Sequence, residues 1–143
     1  MSNLTKLLKI DKVISEVGKL QNDVPANGTL PAADAMVLHV RFWSVKTKLT
    51  DIIAKVKSYE QDKKLKRNIL LSQLKSDCEE KSEAAKERVA QCDSGWQKLH
   101  RERVESQVLR EWLEMKRDDL GQAHIMARES LKLHQSDFIT EPK

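Results

Sequence analysis

Leu7, Ile10, Val13, Ile14, Val17 and Leu20 recur at spacings of three and four residues, the mark of one apolar helix face. The pattern predicts a short amphipathic helix over Leu4 to Leu20. Pro25, the Asn27-Gly28 pair and Pro31 then gather in the stretch Asn22 to Pro31, where strong helix breakers predict a loop. Beyond it, Pro31 and Asp34 suit a helix start, and neither Pro nor Gly follows until Gly95. Phe42, Val45, Leu49, Ile52, Val56 and Tyr59 are spaced 3, 4, 3, 4 and 3. That period of 3.5 residues is the pattern by which one helix meets another. The stripe lapses at Asp62 to Asn68, where polar residues go all round, and returns at Ile69, Leu70 and Leu74; both a continuous helix and a kink are compatible with that lapse.

Asp93-Ser94-Gly95 is a second break, and Asp93 or Ser94 can accept the free amides of a new helix. In the arm that follows, Leu109, Trp112, Leu113, Leu120, Ala123, Ala127 and Leu131 share one face, interrupted only by Gly121. The expected fold is all-α: a short N-terminal helix, then a long antiparallel, coiled-coil-like helical hairpin. The expected divisions are an N-terminal amphipathic helix at 1–22, a linker at 23–31, the hairpin at 32–137 and a flexible tail at 138–143. An arm of forty residues is about 60 Å long. A hairpin so thin leaves part of its apolar stripe wet, so self-association is expected.

Composition adds to this picture. Apolar residues make up 39% and charged residues 34% of the 143, with four Gly and three Pro, too little for a thick core and too few turns for a compact one. Cys78 and Cys92 are fourteen residues apart in what reads as one helical stretch, about 21 Å of rise. An intrachain disulfide across that span is not expected. Nowhere do eighteen apolar residues run together, and no charged leader opens the chain. A soluble cytoplasmic protein with reduced thiols is the expectation.

Charge is distributed unevenly. From Arg41 to Arg67 nine basic residues, Arg41, Lys46, Lys48, Lys55, Lys57, Lys63, Lys64, Lys66 and Arg67, stand against three acids, Asp51, Glu60 and Asp62. The whole chain is only +4, so this is a concentrated patch, of the kind that meets a polyanion. Lys-rich helix faces are also commonly just solvated, and charge alone leaves both readings open. The density of like charge from Lys55 to Arg67 favours the functional one, because a bound polyanion relieves the repulsion along the helix. In that reading the nine residues form a track for nucleic-acid phosphates, with salt-sensitive binding.

Catalytic constellations are missing from the sequence. His39, His100, His124 and His134 have no Cys or carboxylate partners at metal-ligand spacing, the cysteines lack CxxC spacing, and there is no Gly-rich phosphate loop. Glu79-Glu80 and Asp118-Asp119 read as solvated helix acids. No enzyme, cofactor or metal is expected. Phe42, Trp43 and Tyr59 interleave with the basic residues as base-stacking aromatics do, but Phe42 and Tyr59 lie on the apolar stripe and Trp112 joins Leu109 and Leu113, so packing explains them better.

Ala32-Ala33 with Trp43, the block Lys63-Lys64-Leu65-Lys66-Arg67, Lys81-Ser82-Glu83 with Lys86 and Val89, and Gln107 with Trp112 follow one another over Ala32 to Lys132. In this order the chain resembles the UvsY-type recombination mediators of tailed bacteriophages. The resemblance implies a non-enzymatic, ring-forming homo-oligomer that binds single-stranded DNA, loosens a single-strand-binding protein and helps load a RecA-like recombinase. Leu65-Lys66-Arg67 is the nearest match to that family's Leu-Lys-x-Arg motif for DNA, with Arg67 directly after Lys66, and Lys81 to Arg103 does not align. Two other readings are a coiled-coil scaffold, virion-associated or not, and an adaptor that inhibits a partner through Leu4 to Leu20.

Overall fold

The computed structural model describes residues 3–24 and 31–139, with side chains to residue 136. Most of the expected linker and the end of the expected tail lie outside the described residues. The fold is all-α, with no strand among those described. In order come α1 (Asn3–Leu7), α2 (Asp11–Asn22), α3 (Ala32–Ser76), α4 (Glu83–Gln91) and α5 (Ser94–Ile139). The long helices α3 and α5 pack against each other as an antiparallel hairpin: Glu60, Lys63 and Arg67 on α3 meet Arg110, Glu102 and His100 on α5, so one numbering rises as the other falls.

The N-terminal segment is two helices where one was expected. Lys9 takes φ 56°, and the Ile10 amide reaches back to the Thr5 carbonyl at 3.0 Å while the Lys9 amide reaches Lys6 at 3.1 Å. These two bonds define a Schellman turn, which normally carries Gly at the left-handed position. Neither Gly nor Pro announces it here. Ile10, just past the turn, is 2% exposed; its burial fastens the turn, and α2 restarts from it.

α3 passes unbroken through Asp62 to Asn68 and ends at Ser76. Cys78 to Cys92 is therefore not one helical stretch. Residues 77–82 leave the helix, and Ser82 starts α4 by accepting the Ala85 amide at 3.1 Å, which satisfies an otherwise orphan donor. Both cysteines are free. Asp93 caps α5 by accepting the Trp96 amide at 3.0 Å, and α5 then runs through Gly121 without a break.

The chain divides into two compact units, one formed by 1–53 with 112–143 and the other by 54–111. In the first, α1 and α2 join one part of α3 and one part of α5 around Leu4, Ile10, Val17, Leu20, Phe42, Leu49, Leu113 and Leu120, all buried. The buried apolar positions of α3 are Ala35, Leu38, Phe42, Val45, Leu49, Ile53 and Val56. Ile53 takes the inward place the stripe had offered to Ile52, which is half-buried. A straight helix turns once in about 3.6 residues, so the inward face drifts off a 3.5-residue pattern. On α5, Ser106, Leu113, Leu120 and Ala127 are buried at intervals of seven; Leu109 and Trp112 are half-buried.

In the second unit Val56 and Ala90 are the buried apolar residues, and Glu60 and Ser106 are buried beside them. Tyr59 is half-buried, and Glu60 holds the inward position next to it. Here two ion pairs, Glu60–Arg110 and Lys63–Glu102, cross between α3 and α5.

Candidate nucleic-acid interface

The nine basic residues divide into those the fold engages and those it leaves outward. In the first unit Arg41 donates to Asp23, the residue after α2, at 2.7 Å, and Lys48 donates to Glu16 on α2 at 3.0 Å. They rim a groove of about 340 Å³ floored by Leu20, Val40 and Val45. Lys46 is half-buried, its Nζ 3.6 Å from where a Cβ on Gly121 would stand.

The second unit holds the rest. Lys63 pairs with Glu102 at 2.6 Å and lies 5.0 Å from the Tyr59 ring centroid. The Glu102 bond raises the Lys63 pKa against the opposing effect of burial. Arg67 donates to His100 Nδ1 at 2.9 Å and to Asn68 at 3.3 Å. Burial first, and the Arg103 charge second, push its pKa below the ordinary arginine value. Lys66 pairs with Asp62 one turn back at 2.9 Å, both side chains well exposed, a contact of small energy. Lys55, Lys57 and Lys64 are exposed, and among the described residues no ion pair reaches Lys57 or Lys64. With Gln61 and Asn68, also exposed, these two fall at steps of four, three and four along one side of α3, next to the buried positions Val56 and Glu60.

Some residues of this region escaped sequence reading. Trp96 stacks on His100, ring centroids 5.0 Å apart and 9° from parallel, and the Arg67 guanidinium lies 5.8 Å from the Trp96 ring centroid. Arg103 follows on the same face of α5, one turn beyond His100. Glu60, 6% exposed, accepts from Arg110 at 2.6 Å. Apart from the Trp96–His100 stack, four residues apart on α5, nothing local signals these contacts, because the partners are 33 and 50 residues apart.

Of the aromatics weighed as base platforms, Phe42 is 2% exposed and Trp43 is 59% exposed. Trp112 lies beneath Lys116, 5.7 Å from its ring centroid. In the first unit His39 stacks on His124 with ring centroids 4.3 Å apart, and Trp43 is tilted beside His124 at 6.1 Å. Trp43 also continues an exposed apolar row on α3 with Met36, Val37 and Val40. Among the described residues no three His, Cys, Asp or Glu gather as a metal site, and no helix is long and apolar enough to cross a membrane.

Comparison with protein-family models, with curated proteins and with solved structures finds no match to this chain.

Proposed function

We propose that this protein binds single-stranded DNA as a non-enzymatic, homo-oligomeric accessory factor of recombination, helping a RecA-like recombinase replace a single-strand-binding protein. The observation that carries this reading is the side of α3 bearing Lys57 and Lys64, exposed and unmatched by acids among the described residues, with exposed Lys55 and Lys66 nearby in sequence. Ammonium groups in that state attract a phosphodiester strand and exchange counterions for it. The Leu65-Lys66-Arg67 resemblance supplies the recombination context.

Self-association supports the mechanism. Several copies set Lys57 and Lys64 along one strand, so weak contacts per subunit add through effective concentration. The exposed row Met36, Val37, Val40 and Trp43 is apolar surface of the kind that subunits bury against each other.

Fluorescence anisotropy of a labelled oligo-dT across a salt series tests the reading. The full-length protein binds at low salt, and affinity falls steeply as salt rises. Lys57→Ala/Lys64→Ala lowers the slope of log affinity on log salt by about 1.4, the counterions of two single-strand phosphates. A chain that stays monomeric and binds no oligonucleotide at low salt refutes it.

A further inference from the structure

We propose that two copies of this chain pair in parallel along α3, through an outward seam of Ala33, Met36, Val40, Trp43, Thr47 and Thr50. The inference rests on the self-association in the reading above and names its surface, its partner and its orientation.

Spacing identifies the seam. The six residues stand 3, 4, 3, 4 and 3 apart, the same 3.5-residue period as the inward stripe, on the side of the helix away from buried Phe42 and Leu49. None carries a charge, and all six are exposed; Met36, Val40 and Trp43 each show more than half of their surface. The two hydroxyls are satisfied within the helix: Thr47 Oγ1 donates to the Trp43 carbonyl at 2.9 Å and Thr50 Oγ1 to the Lys46 carbonyl at 3.1 Å. Both threonines can therefore be buried without stranding a donor. The result is an uncharged helix face about 26 Å long, left open by the fold and spaced to meet another helix.

Charge on the flanks selects a second copy and sets its direction. Arg41 and Lys48 are engaged by Asp23 and Glu16. Lys46, just before Thr47, and Asp51, just after Thr50, have no ion pair among the described residues and border the seam on opposite sides. In a parallel two-stranded coil the residue before one seam position faces the residue after the partner's next one. Lys46 thus meets Asp51 of the second copy, and two-fold symmetry makes the pair twice. An antiparallel pair sets the two Lys46 flanks against each other, like charge to like. β-branched Val40 and Thr47 alternate with unbranched Met36 and Trp43 in the order that two-stranded parallel coils favour. In sequence the spacing runs on to Ala54 and Lys57, where facing lysines repel, so the seam ends with the first unit.

Sedimentation equilibrium of the full-length protein without nucleic acid is the test. The parent sediments as a dimer or a multiple of it. Val40→Glu weakens association about a hundredfold, as unpaired carboxylates in a closed seam do, and keeps the parent's helical circular dichroism because residue 40 is exposed in the single chain. Lys46→Glu and Asp51→Lys each weaken association about tenfold, since both symmetry-related pairs turn repulsive. An equimolar mixture of these two variants recovers it, because each mixed pair brings opposite charges together twice; misfolded variants would not recover. A monomeric parent, or association that Val40→Glu leaves unchanged, overturns the seam. Variants that stay apart on mixing overturn the parallel pairing. Oligo-dT anisotropy on the same samples separates this inference from the reading it rests on. A monomeric parent that binds oligonucleotide overturns the pairing and leaves DNA binding standing, whereas a paired parent that binds none upholds the pairing and overturns the recombination reading.

Discussion

In the first unit α3 meets its neighbours through Phe42, Leu49, Leu113 and Leu120, each 2% exposed or less; in the second the same two helices meet through Glu60–Arg110, Lys63–Glu102 and Arg67–His100. Apolar packing tolerates exchange for a side chain of similar volume, whereas a buried charge requires its partner. The difference teaches where each unit's stability and specificity come from. Burial of side chains such as Phe42 stabilises the first. Charges in the second align α3 with α5 and add little net stability, because desolvation offsets most of their attraction.

The largest break in this comparison comes from the apolar side. Phe42→Ala costs about 3–5 kcal/mol by urea denaturation, the scale of a large ring deleted from a packed core. A loss under 1 kcal/mol, well below that range, means the first unit is not the stable one.

Removing half of the buried ion pair comes next. Arg110→Met leaves Glu60 without its arginine in a nearly closed site and costs about 3 kcal/mol. Glu60→Leu/Arg110→Met recovers most of that loss, because two apolar side chains need no partner. If the double variant is as unstable as the single one, the pair stabilises the unit in its own right.

Smaller effects sharpen the picture at two positions of the first unit. Lys9→Gly relieves the left-handed strain of the Schellman turn and stabilises by about 1 kcal/mol; a destabilised variant would show that the Lys9 side chain contributes more than the strain costs. His124 has its pKa lowered by burial first, then by His39, Lys46 and Arg128. The unfolded chain therefore binds the proton more readily than the folded one. Stability contributed here is lost as pH falls below the ordinary imidazole value of about 6.5 and towards the folded value. Urea midpoints measured between pH 7.5 and 5 decline less steeply in His124→Asn than in the parent. An equal decline assigns the pH dependence elsewhere.

How far these features were legible depends on the range of the contacts. The helical hairpin, the inward placement of Phe42, Val45, Leu49 and Val56, and a cap at Asp93 or Ser94 all follow from spacing and local chemistry; the structure gives the cap to Asp93. Ile53 and Glu60 did not. Adjacent isoleucines cannot be ranked by a pattern of 3.5, and an apolar rule prefers Tyr59 to a glutamate whose arginine is 50 residues away. The break after Ser76 lacks Pro and Gly, and its one local sign is Ser82 ahead of Glu83. In the candidate interface, the density of basic residues was plain. The division into internally paired Arg41, Lys48 and Lys63 and outward Lys57 and Lys64 depends on acids from α2 and α5 that no window on α3 contains. For the same reason Arg103 and Trp96 were invisible as partners of Arg67.

The division of labour between the units is tested most directly by hydrogen exchange with mass spectrometry on the full-length protein, alone and with oligo-dT at low salt. Free protein should exchange most slowly in the α3 peptides around Phe42 and Leu49 and faster in those around Lys57 to Arg67. Added oligonucleotide should slow exchange in the latter, leaving the Phe42 region unchanged. Slowing confined to the Phe42 region, or absent from both, would contradict the assignment of nucleic-acid binding to the charged unit.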